Sequence, residues 1–467
     1  MNIKKYLTEY KYKTAVIASD NSSYSYEYID LIAKEIYTKI GHRSLVFCLC
    51  TNTIGSLIGY VSFINNRVIP LMLDASMDKG LLENLISTYN PEYIWFPTVM
   101  ADQFTNEEII YSILGYSLIK LYDNSAYELH DDLALLLTTS GSTGSPKLVR
   151  LSYNNLLANA SSISEYLSID ENEKPITSLP MNYSFGLSII NSHLLKGATI
   201  LLTEKSIMEK EFWSFFKAHR ATSISGVPFT YEMLKKLRLF SMSLPSLKTL
   251  TQAGGKLNEV LNKEYAEYCL ETGRKFFVMY GQTEATARMS YLPSEYSLMK
   301  LGSMGIAIPG GEFSLIDERG VTIEENNWVG ELVYKGPNVS LGYAECVEDL
   351  SLDDENKGIL ITGDMAKRDD DGYYYIVGRK KRFVKIYGNR INLDETERLL
   401  KNIITECACS GRDDRLEIFV TEKDRNAEII SFISSKMGIH RNAFVVIIVK
   451  EIPKNSSGKT IYSLLKE

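Results

Sequence analysis

Four groups of residues in this chain have types and spacings that do chemistry. The first is Thr138, Thr139, Ser140, Gly141, Ser142, Thr143, Gly144, Ser145, Pro146 and Lys147. Glycines let a backbone take positive φ and approach a ligand closely. Exposed N–H groups, hydroxyls and one ammonium then form an anion clamp, and a polyphosphate is the expected anion. The second group is Tyr280, Gly281, Gln282, Thr283 and Glu284, which sets a flat aromatic beside a hydroxyl and a carboxylate. The aromatic can stack on a base, and a carboxylate together with phosphate oxygens suits Mg²⁺. The third is Thr362-Gly363-Asp364, where an aspartate at a strand end can accept ribose hydroxyls. The fourth is Lys459, which follows Gly458 near the end of the chain.

A Walker-type loop is excluded for the first group. That motif needs a glycine, four residues, then Gly-Lys-Ser/Thr, and counting from Gly141 the second glycine position holds Pro146. Gly458-Lys459-Thr460 fails too, because Pro453 stands where the first glycine belongs. A Ser/Gly linker also fits poorly, since the loop follows an apolar run and carries a lysine.

These groups need strand ends to position them. Thr14–Ala18, Ser44–Cys50, Val68–Leu73, Tyr93–Phe96 and Leu133–Thr139 read as strands, and Tyr26–Ile40 and Ile54–Ile64 as helices between them. Gly41 stops the first helix. Strand, helix, strand with short connections implies a parallel sheet covered by helices. Ser152 is a candidate N-cap for a helix to Tyr166. Strands over Thr199–Leu202, Ile224–Phe229, Leu247–Ala253 and Phe276–Met279 follow, with a helix over Thr230–Leu237. Two of them break into Gly254-Gly255 and into the Tyr280 group, where open α/β sheets bind ligands. Beyond residue 300 the pattern turns to short glycine-bounded strands, over Gly311–Ile316, Gly330–Lys335 and Tyr373–Val377, a β-rich subdomain. The basic run Gly378–Arg382 reads as a solvated turn or a linker. A helix over Leu393–Ile403, an ambiguous Ile429–Ile433, a strand over Ala443–Lys450 and a tail helix complete the chain.

Composition narrows the class. The chain has 467 residues, 45% hydrophobic and 23% charged, with a net charge of −7. That describes a soluble protein of two or three domains and argues against a general nucleic-acid binder. Cys48, Cys50, Cys269, Cys346, Cys407 and Cys409 fit neither zinc nor redox spacing, and reduced thiols in a cytoplasmic protein are expected. The N-terminus lacks the apolar core of a signal peptide, and Thr53–Ile64 is too short to span a bilayer.

Taken together and in order, the motifs resemble those of the adenylate-forming superfamily of acyl-CoA synthetases, nonribosomal adenylation domains and luciferase-like enzymes. Thr138–Lys147 is similar to that family's Thr-Ser-Gly-Ser-Thr-Gly-x-Pro-Lys signature, and Tyr280–Glu284 to its Tyr-Gly-x-Thr-Glu. Thr362–Asp364 with Gly378-Arg379 resembles its ribose motif. Val384–Ile391 resembles its Ile-Lys-x-x-Gly-x-Arg-Ile hairpin, with Lys385 and Gly388 in place and Val384 for the first isoleucine. Pro453–Lys459 resembles the segment that carries its catalytic lysine.

The resemblance implies ATP and Mg²⁺, with Glu284 on the metal, Thr283 on phosphate, Tyr280 beside adenine, and Asp364 and Arg379 on ribose. It implies that Lys459 bridges carboxylate and α-phosphate, that Gly388 lets a pantetheine thiol pass, and that Lys381 is a hinge. The implied fold is α/β. Residues 1–379 form a large domain of parallel sheets with helices and a small β-rich subdomain, 380–382 a hinge, and 383–467 a small mobile α+β lid. The implied reaction activates a carboxylic acid as an acyl-adenylate and passes the acyl group to coenzyme A or to a carrier protein's phosphopantetheine. Family members that take amino acids carry an aspartate near Tyr183 to pair with the ammonium. Here Pro180–Gly186 puts Tyr183 at the position where acyl-CoA synthetases often carry histidine, so an ordinary amino acid is disfavoured. The alternatives are a stand-alone amino-acid-activating enzyme and a non-catalytic nucleotide-binding homologue.

Overall fold

The computed structural model describes residues 4–121, 127–138, 147–380, 382–387, 389–412, 414–454 and 460–465. Contacts divide the chain into two compact units, Met1–Glu312 with Tyr334–Leu360, and Phe313–Val333 with Ile361–Glu467.

The first unit is built on an eight-stranded sheet. Its centre is parallel, running Leu133–Thr138, Ile69–Asp74, Leu45–Cys50 and Tyr93–Pro97. Leu45–Cys50 is buried along its whole length, as a central parallel strand covered on both faces must be. Helix Ile54–Asn65 lies on it, and this explains the apolar stretch seen in the sequence. Its small residues admit a tryptophan: Trp95 Nε1 donates to the Gly55 carbonyl at 3.0 Å. A Cβ at Gly59 would come within 2.2 Å of the same ring nitrogen. Helix Tyr26–Ile40 begins where Ser25 accepts from the Tyr28 amide and ends at Gly41, φ 76°.

The sheet is not parallel throughout, contrary to the simple alternation expected. Leu148–Ser152 and Gly342–Ala344 add antiparallel strands on one side, Tyr116–Lys120 and Ile109–Ile113 on the other. Thr14–Ala18 leaves this sheet altogether, pairing with Ile200–Leu202 and Ser23–Ser25. A second sheet holds parallel Ser223–Gly226, Thr249–Gln252 and Lys275–Tyr280, then antiparallel Ser290–Leu292 and Ile306–Ala307. The strand expected over Ile224–Phe229 stops at Gly226, because Pro228 opens a helix to Lys236 instead.

The second unit holds most of a four-stranded sheet, Glu312–Ile316, Val329–Lys335, Ile359–Arg368 and Tyr374–Arg379. It also contains the hairpin Phe383–Ile386 with Asn389–Asn392 and a three-stranded sheet, Cys407–Arg412, Arg415–Val420 and Phe444–Ile448. Asn426–Met437, ambiguous in sequence, is a helix whose Ile429 and Ile433 are buried. The expected tail helix is, among the described residues, only the 3₁₀ turn Tyr462–Leu464. None of the helices described is long and apolar enough to cross a membrane.

Candidate functional site

Strand ends of the first unit gather Thr138, Lys147, Thr283 and Glu284. Thr138 ends its strand opposite Leu148, so the chain leaves one strand and returns on its antiparallel neighbour. Thr139, Ser140, Gly141, Ser142, Thr143 and Gly144 lie outside the described residues. Lys147, at the return, sits 3.9 Å from the centroid of the Tyr343 ring and 3.3 Å from Glu345. Tyr343 in turn donates from its hydroxyl to Glu284 Oε1 at 2.9 Å. Lysine, phenol and carboxylate therefore form one continuous contact.

Tyr343 was not legible as a site residue, and Arg150 shows why it stands there. Arg150 is fully buried on the strand after Lys147. It donates to the Tyr343 carbonyl at 2.9 Å and pairs with Glu355 at 2.7 Å. It thereby clamps Gly342–Ala344 against its own strand. A charged residue inside an otherwise apolar strand was the available signal, and a buried arginine of this kind is costly unless paired.

Thr283 and Glu284 lie in a single 3₁₀ turn directly after the strand that ends at Tyr280. The turn needs Gly281, where a Cβ would come 1.7 Å from the Ala287 carbonyl oxygen. Thr283 Oγ1 lies 3.2 Å from Ser184 Oγ, and Ser184 begins a helix immediately after Tyr183. Gln282 donates to the Tyr280 hydroxyl at 3.1 Å. Next to this, Gly254 takes φ 81°, and a Cβ there would come 2.8 Å from Tyr183 Oη and 3.0 Å from Val227. Gly255 follows it, and its Cβ would meet Pro228 at 3.2 Å. Burial pushes the Tyr183 hydroxyl up to about 12, against an opposing pull from Arg288, so it stays protonated. The first unit thus brings Lys147, Thr283, Glu284, Tyr183 and Gly254 to neighbouring strand ends.

Glu284 suits Mg²⁺ as a ligand. Its turn offers one carboxylate with hydroxyl neighbours, and among the described residues no cluster of three or more His, Cys, Asp or Glu could hold a metal by itself. A donor set this small suits an ion that arrives with phosphate oxygens.

The second unit holds the other candidates. Asp364 does not end a strand as expected: it lies inside Ile359–Arg368, opposite Arg379. The ladder continues because the next strand pairs along it to Arg379. Asp364 is 5% exposed, with Arg379 Nε at 3.5 Å. The basic run is no plain solvated turn either. Gly378 and Arg379 end a strand, Lys380 pairs with Glu331 at 2.7 Å, and Arg382 is largely buried. Arg382 bonds Asp394 at 2.7 Å and Glu397 at 2.6 Å, and its guanidinium lies 3.7 Å from the Tyr462 ring centroid. Tyr462 also donates to Glu397 at 3.1 Å. The hairpin places Lys385 on its first strand. Lys381, Gly388 and Lys459 lie outside the described residues. The chain flanking 455–459 is tied together by the Lys454–Thr460 bridge and by the Ile461 amide donating to the Pro453 carbonyl at 2.8 Å.

Comparison with known proteins gives the same direction. A family model described as AMP-binding enzyme matches residues 120–344. The 2-succinylbenzoate–CoA ligase of Bacillus subtilis is 28% identical over 409 residues, covering 85% of this chain and 77% of that protein. Among solved structures, the O-succinylbenzoate coenzyme A synthetase (MenE) of Bacillus subtilis in complex with AMP aligns with a TM-score of 0.81 at 21% identity, covering 100% of this chain and 98% of that one. The same enzyme with ATP and magnesium ion aligns with a TM-score of 0.79 at 21% identity, covering 100% and 99%.

Proposed function

We propose that the chain is a member of the adenylate-forming superfamily and that it uses ATP to join a carboxylic acid to the thiol of coenzyme A. In the first step a carboxylate oxygen attacks the α-phosphorus. The bond from that phosphorus to the bridging oxygen breaks, and pyrophosphate leaves with the electron pair. In the second step the thiol attacks the acyl carbon, AMP leaves, and the thiol proton is lost to solvent. Little covalent work falls to the protein, so positioning and charge stabilisation carry the rate.

The contact of Lys147, Tyr343 and Glu284 is the observation that carries this reading. It puts a cation and a hydrogen-bonded carboxylate where the hydroxyl-rich loop begins and ends. Lys147 faces the β- and γ-phosphates, Thr283 a phosphate oxygen, and Tyr280 the adenine. Glu284 would hold Mg²⁺, which would supply neutralising charge to the phosphate oxygens. Asp364 and Arg379 take the ribose hydroxyls. Lys459 meets the carboxylate and α-phosphate as charge develops, an interaction that accelerates the step only if made then. Residues 383–467 act as the lid and Lys381 as its hinge.

Tyr183, half-buried and protonated, lines the way in for the acid. Besides burial, the charge that bears on it is the cation of Arg288. An ammonium substrate would meet repulsion there, which counts against an α-amino acid.

ATP–pyrophosphate exchange over a panel of carboxylic and amino acids, followed by addition of coenzyme A, tests the proposal. Exchange with a carboxylic acid and release of AMP on adding coenzyme A are expected. Exchange with amino acids alone would overturn it, as would thioester formation only on a carrier protein.

A further inference from the structure

Arg288 is not needed for the chemistry above, yet it is 2% exposed. It follows the Thr283–Ala285 turn and precedes strand Ser290–Leu292. Its Nη1 donates to the Tyr166 hydroxyl at 3.1 Å and lies 2.9 Å from Met279 Sδ. Its guanidinium lies 4.6 Å from the centroid of the Phe185 ring. Its Nε is buried and has no hydrogen-bond partner.

A guanidinium stays charged at any working pH. The other well-buried arginines are matched: Arg150 with Glu355, and Arg382 with Asp394 and Glu397. Among the described residues no carboxylate pairs with Arg288. Neutral acceptors and a ring face compensate a buried cation poorly. The surroundings add to the mismatch, because Leu179, Val227, Ala253, Phe277 and Met279 form an apolar cluster about Phe185.

The place of this cation matters as much as its charge. Phe185 meets Tyr183 edge-on at 6.3 Å, and the Tyr183 hydroxyl abuts Gly254. Arg288 is therefore one ring beyond the residue that lines the way in for the acid, and four positions along the chain from Glu284. Tyr166, stacked on Tyr291 at 4.2 Å, is held beside it. Burial raises the Tyr166 and Tyr183 hydroxyls, so both remain protonated and able to donate.

We propose that Arg288 is a specificity-determining residue that pairs with a second carboxylate at the far end of the substrate, which makes the substrate a dicarboxylic acid. This rests on the acid-activating reading above. One carboxylate goes to the α-phosphorus. The other takes the free Nε and displaces the neutral partners of Nη1, with the phenols of Tyr166 and Tyr183 as further donors. A monocarboxylic acid of the same skeleton leaves the guanidinium unmatched.

The test is ATP–pyrophosphate exchange by the full chain with matched acids. Suitable pairs are glutarate against pentanoate, and 2-succinylbenzoate against 4-oxo-4-phenylbutanoate, which lacks the ring carboxylate. At least one dicarboxylate should exceed its partner in kcat/KM by about 10-fold or more, the scale of a charge-assisted hydrogen bond. Arg288→Met should lower that dicarboxylate's kcat/KM by about 10²-fold, mainly through KM, and leave the monocarboxylate within about 3-fold. Arg288→Lys, which keeps the charge without the fork, should fall between them. Equal losses for both members of a pair would make Arg288 structural and overturn the inference. A wild-type preference for monocarboxylates would overturn it alone, whatever the variants do. Exchange with no acid at all would overturn the acid-activating reading with it.

Discussion

The Lys147 corner of the first unit and the Arg382 network of the second hold their charges in opposite ways. Lys147 rests on a ring face and on Glu345, with side chains 42% and 66% exposed. An exposed pair contributes little, about 1 kcal/mol or less, so a phosphate can replace Glu345 cheaply. Arg382 is 13% exposed, as is Glu397. Buried ions matched this closely resist exchange, because removing one strands the other. The difference separates two jobs: the first arrangement keeps a cation available to a ligand, and the second fixes backbone. Arg382 follows the proposed hinge directly, and its ring partner Tyr462 lies three residues after Lys459.

The largest effect should come from Lys459, the proposed cation at the reacting carboxylate. Lys459→Ala should lower adenylation, read by pyrophosphate exchange, by about 10²- to 10³-fold, the cost of losing one electrostatic stabiliser. Thioester formation from supplied acyl-adenylate should persist. Equal loss in both steps would mean that Lys459 does not serve adenylation alone. Next, Arg382→Met should destabilise the chain by about 3 kcal/mol in a denaturant titration, since it leaves Asp394 and Glu397 without their cation. If neither stability nor exchange changed, the contrast between available and structural charge would fail.

Tyr343→Phe deletes the bond to Glu284 and keeps the ring under Lys147. It should cost about 1 kcal/mol, roughly 5-fold in the KM for ATP, with no change in the unfolding midpoint. A large stability loss would mean that this corner is structural too. The smallest effect concerns a buried group that the first unit keeps neutral. Burial pushes His193 down from 6.5 to about 4, with its Nδ1 2.8 Å from the Ile189 carbonyl. Because the folded value is the lower one, the unfolded chain takes up the proton first. The stability from neutral His193 is thus complete above pH 6.5 and declines as pH falls toward 4. Between pH 7.5 and 5.5 this group should account for about 1 kcal/mol. His193→Gln should flatten that part of the curve, measured by unfolding at both pH values.

Much of this was legible in local pattern. Helix Tyr26–Ile40 has the bounds read from its apolar spacing and its glycine stop. Ser152 caps its helix as expected, with Asn155 completing a capping box. Tyr280 ends a buried strand and Gly254 follows another, as the α/β reading required. These features depend on a few neighbouring residues, so the sequence shows them directly. Asp364 was misplaced because a Thr-Gly-Asp run reads as a turn, whereas pairing with Tyr374–Arg379 carries the strand through it. The Pro228 helix start was missed because the apolar run continued to Phe229 and masked it.

The order of motifs from Thr138 to Lys459 carried the family resemblance and the reaction type it implies, because phosphate, metal and ribose chemistry demand particular residues at short spacings. Tertiary structure alone decided which distant groups serve them. Arg150 is 193 residues from Tyr343, yet strand pairing joins them, and Tyr343 is 59 from Glu284, yet its hydroxyl reaches that carboxylate. Arg288 was an unremarked residue in a mixed segment until packing showed it buried among Phe185, Tyr166 and Met279 without a carboxylate. A buried charge declares its need only when its neighbours are known, and those neighbours are set by the fold.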